Sequence, residues 1–65
     1  MHPATKEMLK YFEYAHLPEN LQVISKPFCD LAHTFADFDL NGPEVTVCLR
    51  KLLEAKDCAV RAALN

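Results

Sequence analysis

The chain has 65 residues, half of them apolar and a quarter charged, with one glycine and a formal net charge of −2. That composition excludes a disordered chain, and a single glycine leaves too few turns for a many-stranded sheet. The acidic balance excludes a general basic field for nucleic acid, so an anionic ligand would have to be held locally by a few Lys or Arg side chains.

The first predicted element is a short helix over residues 3–16. Met8, Phe12 and Ala15 share one face at helical spacing, with Leu9 and His16 at its edge. It is short enough to be marginal alone. Three rings fall within "KYFEYAHLP". At about 100° per residue, Phe12 lies on the packing face, Tyr11 at its border and Tyr14 further onto the polar side beside Glu7 and Lys10. Phe12 is therefore expected in the core. Tyr11 and Tyr14 are left to cover another subunit or to stack on a flat ligand.

The second element is a long amphipathic helix over residues 18–38. Leu21, Ile24, Phe28, Leu31, Phe35 and Phe38 recur at steps of three and four, and Ala32 and Ala36 widen the stripe. Pro18 suits a first helical turn. Pro27 removes one hydrogen bond from the interior, which predicts a kink near Val23. Gln22, Lys26, Asp30, His33 and Asp37 form the opposite face.

"DFDLNGP" is the strong break, with Asn41-Gly42 turning the chain and Pro43 opening a third helix over residues 43–64. Val45, Leu49, Leu52, Ala59 and Ala63 make one stripe, but apolar residues spread much further round. Arg50, Glu54, Asp57 and Arg61 form the polar stripe, in which Arg50–Glu54 and Asp57–Arg61 can pair across a turn. The short connection predicts an antiparallel hairpin. The expected fold class is all-α: a short N-terminal helix and a helical hairpin in one domain, assembled as a homo-oligomeric bundle.

Assembly is expected on energetic grounds. Ordering the chain costs roughly 1.5 kcal/mol per residue, on the order of 100 kcal/mol in all, and a lone hairpin leaves one flank of each helix wet. Chains this short usually need disulfides, a metal or partner copies. Cys29, Cys48 and Cys58 are an odd number and follow no secretory signal, so the expected setting is reducing and cytoplasmic, with the thiols as small apolar residues. No apolar run approaches the roughly 20 residues of a membrane span, so no membrane partner is expected.

Enzyme and cofactor signatures are absent. One glycine cannot make a phosphate-cradling loop, and no two cysteines have zinc-knuckle spacing. Cys29 and His33 are half a metal site at most, and nothing orients the histidine as a catalytic base. Glu54 with Asp57, or Asp37 with Asp39, read as solvated carboxylates rather than a catalytic pair. Lys26 stands out as a point charge suited to phosphate.

Four stretches carry a resemblance: "FEYAHLP", "LQVISKPFCDLAHTF", the "NGPE" turn and "LRKLLEAKDCAVRAAL". From Phe12 to Leu64 the chain resembles the anti-CBASS type 2 cyclic-oligonucleotide sponges of phages and the hairpin part of another anti-defence sponge. The resemblance implies a homo-oligomer, typically a hexamer. Such an assembly sequesters cyclic nucleotide signals of bacterial immune enzymes in the infected host's cytoplasm, without cleaving them. It implies cyclic dinucleotides between pairs of subunits and, as in some members, cyclic trinucleotides at separate sites. The positions matching its base-stacking aromatic and its phosphate-binding lysine are Tyr11 and Lys26, with Tyr14 and His16 in the same pocket. Arg61 matches the arginine of the trinucleotide site. A two-fold seam would offer each of these residues twice to a nearly two-fold ligand. The alternative is a ligand-free helical assembly or adaptor in which the tyrosines are interface anchors. Duplex binding is not expected, because the chain has no basic stripe.

Overall fold

Three helices build the chain, and there is no strand among the described residues, which in this computed structural model are 3–38 and 40–64. Helix α1 spans Pro3–Leu9, α2 Glu19–Asp37 and α3 Pro43–Leu64. Gly42 sits at φ +100°, a backbone region that L side chains rarely adopt, and its carbonyl accepts from Val45 N at 3.2 Å. Pro43 follows as the first helical residue, where its missing N–H costs nothing. The 38–42 connection is short enough that α2 and α3 fold back and pack along each other. Asp39, half of the Asp37–Asp39 pair considered above, lies outside the described residues.

The first segment departs from expectation. The α-helix ends at Leu9, continues as one 3-10 turn over Lys10–Phe12, and stops. Glu13 is extended (φ −60°, ψ 141°), and a turn closed by Leu17 N donating to Tyr14 O at 2.9 Å leads into α2. The helix expected to reach His16 is thus four residues shorter. Two tertiary demands override local propensity. Phe12 must enter the core, and the chain must reverse to bring Pro18 to the head of α2. Pro18 itself is the cap rather than a helical residue, its carbonyl accepting from Leu21 N and Gln22 N.

Phe12, Cys29, Ala32 and Leu49 form the core, with Met8, Leu9, Tyr14, Phe28, Phe35, Leu52 and Leu53 packed around them. Phe12 belongs there as its spacing predicts. Tyr14 does not follow its predicted angle. Because the helix has ended, its half-buried ring turns back onto the core instead of outward.

On α2 the buried line is Leu21, Ser25, Cys29 and Ala32. It lies roughly 70° round the helix from the centre of the apolar stripe, at 100° per residue. Segment 3–17 covers the Cys29 side, which leaves Val23, Leu31 and Phe38 exposed on the other flank. Helix α2 runs unbroken through Pro27, an exposed position. The carbonyl of Val23, deprived of its i+4 donor, belongs to an exposed residue as well, so water can satisfy it.

Ser25 is fully buried, and its hydroxyl has no hydrogen-bond partner among the described residues. Burying an unmade hydrogen bond costs about 1–3 kcal/mol, and alanine removes the polar atom with little change of shape. Ser25→Ala is expected to raise the thermal midpoint by about 4–8 °C for each kcal/mol recovered. A lowered midpoint in a calorimetric scan would mean that the hydroxyl is bonded.

Candidate functional site

Two concavities flank the segment between Phe12 and α2. The larger in polar character is a groove of about 350 Å³ between that segment and the last turns of α3. Lys10, Tyr11, Glu13, His16 and Leu17 form one wall, and Lys56, Asp57, Val60 and Arg61 the other. The second, also about 350 Å³, is lined by Glu13, Tyr14, Ala15, His16 and Cys29.

The wall between them is positioned from α2. Gln22 Nε2 donates to Leu17 O at 2.8 Å and to Ala15 O at 3.4 Å, so one side-chain amide straps the turn to the helix. Tyr11 is 57% exposed, because the 3-10 turn spends its inward position on Phe12 and puts the neighbouring ring outside. Helix α3 supplies the opposite wall through positions 56, 57, 60 and 61, adjacent at helical spacing.

Three cations and two carboxylates share the groove. Lys10 pairs outward with Glu7 at 3.1 Å. That hydrogen bond and its charge hold the Lys10 ammonium above the usual lysine value. Lys56, only 14% exposed, pairs with Asp57 at 3.0 Å. Arg61 has no carboxylate partner among the described residues. Its Nη2 donates to Cys58 Sγ at 3.4 Å, a weak acceptor. The expected Asp57–Arg61 pair is unmade, since Asp57 is taken by its neighbour Lys56, and the Arg50–Glu54 pair is unmade as well. Arg61 is thus the least compensated charge in the groove.

The predicted residues therefore separate into two groups. Tyr11, His16 and Arg61 meet in the groove, whereas Tyr14 and His16 meet in the second pocket. Lys26 lines neither. It is exposed and bonded to Asp30 Oδ2 at 2.8 Å. That bond raises its ammonium above the ordinary lysine value, with smaller upward pushes from the Asp30 charge and Tyr14. Lys10, Lys56 and Glu13 are groove residues that the sequence did not single out. Lys56 falls among the apolar positions of α3, and that placement was the available signal.

Cys29 is buried at the back of the second pocket, and burial first, then Asp30 and Glu13, push its thiol above the usual range. Its protonated form favours the fold below the unfolded thiol value, and that support is lost as pH rises through the folded one. At pH 8, Cys29 is expected to be alkylated by iodoacetamide well after the exposed Cys58, by mass spectrometry of peptides. Equal rates would contradict its placement. Among the described residues no three His, Cys, Asp or Glu side chains cluster to hold a metal ion, and no helix is long and apolar enough to cross a membrane.

Neither a protein-family model, nor a curated protein, nor a solved structure matches this chain.

Proposed function

We infer that the chain binds and sequesters cyclic oligonucleotide second messengers without cleaving them, and so antagonises bacterial anti-phage signalling inside the infected cell. The observation that carries this reading is the groove: an exposed tyrosine ring and an uncompensated guanidinium face one concave surface. A ring platform and a cation are what one nucleotide asks for, and base stacking contributes about 1–3 kcal/mol per base. The groove also lies at the lower end of the roughly 300–1,000 Å³ typical of ligand pockets, and it is open. A ligand with two or three bases would need the same groove from further copies.

Further copies have a place to dock. Among the described residues five apolar side chains are buried, while Val23, Leu31, Phe38 and Leu40 stay exposed. On α3, Ala55 and Ala62 are exposed small residues that allow close helix approach. These features support the antiparallel hairpin as the subunit of a homo-oligomer, with a hexamer as the expected size. They equally favour the second reading, a ligand-free assembly in which Tyr11 anchors an interface.

Native mass spectrometry with a panel of cyclic di- and trinucleotides separates the two. Sequestration predicts an oligomer carrying intact cyclic ligands in a fixed ratio to subunits. An oligomer that takes up no member of the panel would leave the ligand-free assembly.

A further inference from the structure

We propose that the groove selects guanine, with Glu13 as the residue that reads the base edge; this rests on the cyclic-oligonucleotide reading of the same groove. A carboxylate lining a phosphate-binding groove works against the phosphate unless it has another task. Asp57 has one, since it holds Lys56 at 3.0 Å. Glu13 has no side-chain hydrogen bond or ion pair among the described residues, and it is exposed. It stands two positions from the Tyr11 ring on the same wall. Its backbone is fixed, extended between the 3-10 turn and the strapped turn, with its N–H donating to Lys10 O at 3.2 Å.

The walls thereby divide the ligand. On one wall Tyr11 presents a ring face and Glu13 an acceptor-only carboxylate, with Lys10 paired to Glu7. On the opposite wall Lys56 and Arg61 present donors suited to phosphate, and the one carboxylate there, Asp57, is drawn to Lys56. Among the nucleobases, guanine sets two adjacent donors, N1–H and the N2 amino group, on one edge. That pair matches a carboxylate in a bidentate, charge-assisted contact. Adenine puts the N1 lone pair beside its amino group, cytosine does the same with N3, and uracil flanks its single N–H with two carbonyls. Each of these turns at least one lone pair toward Glu13.

Calorimetric titration with cyclic di-GMP, cyclic di-IMP and cyclic di-AMP tests this, because hypoxanthine is guanine without the N2 amino group. The expected order is guanine, then hypoxanthine, then adenine, with guanine favoured over adenine by about ten-fold or more. Glu13→Gln is expected to weaken the guanine ligand and to improve the adenine ligand, since an amide offers the donor and acceptor that adenine needs. Equal wild-type affinity for the guanine and adenine ligands would overturn the base assignment while leaving sequestration standing. So would an unchanged guanine-to-adenine ratio in Glu13→Gln. No binding of any of the three by the wild-type protein would overturn both.

Discussion

Phe12→Ala is expected to unfold the chain at room temperature. The ring is fully buried, and it touches the elements that must meet: α1 behind it, Cys29 and Ala32 of α2, and Leu49 of α3. Truncating a buried phenylalanine costs about 3–5 kcal/mol. A single core in a chain this small rarely supplies more than that. The substitution therefore removes a quantity comparable to the whole stability. Far-UV circular dichroism and thermal melting read the outcome, with Lys51→Ala as the control. Lys51 is exposed, so its truncation should stay within about 0.5 kcal/mol of wild type. A cooperative melt of Phe12→Ala within a few degrees of wild type would show that the first segment is dispensable to the core.

Arg61→Ala and Tyr11→Ala are expected to remove most of the affinity for cyclic oligonucleotides. The guanidinium is the least compensated cation in the groove, and a hydrogen bond to a charged group is worth about 1.5–3 kcal/mol. Its loss should weaken binding by about 10- to 150-fold, with partial recovery in Arg61→Lys, which keeps the charge but not the fork. Tyr11→Ala removes a stacking platform worth about 1–3 kcal/mol per base. Lys26→Ala is expected to have the smallest effect of the three, because Lys26 lies outside the groove and is bonded to Asp30. Calorimetry gives the affinities, and light scattering reads whether the proposed assembly persists. Wild-type affinity in Arg61→Ala would sink the groove assignment. Loss of the oligomer in Tyr11→Ala would instead identify that ring as an interface anchor.

The two long helices were readable because their signals are local and redundant. Glycine followed by proline at 42–43 fixes a start, and the three-and-four spacing persists over several turns. Where the first helix ends was not readable. Nothing between Lys10 and His16 forbids a helix, and the chain leaves it at Phe12 for a tertiary reason. That single difference misplaces Tyr14, whose helical angle points outward while its ring turns back onto the core. It also creates the groove, since His16 and Leu17 reach Lys56 and Arg61 only after the chain has turned. The buried line of α2 was shifted for a related reason. Apolar spacing reports where hydrophobic side chains are, not which of them segment 3–17 will cover, so Ser25 and Cys29 are buried ahead of Leu31.

Gln22 gives the turn between Phe12 and α2 an uncommon mode of attachment. Its one amide group reaches two carbonyls of that turn, and the backbone there contributes Leu17 N to Tyr14 O. With Glu13 N bonded to Lys10 O and the Tyr14 ring on the core, local opening of the rest of the turn should still cost less than separating α2 from α3. Both concavities have Glu13 and His16 in common. Their entrances would then widen together while the helices stay paired. Access to both concavities thus becomes a property of a short turn and can be tuned at residue 22, a side chain that lines neither.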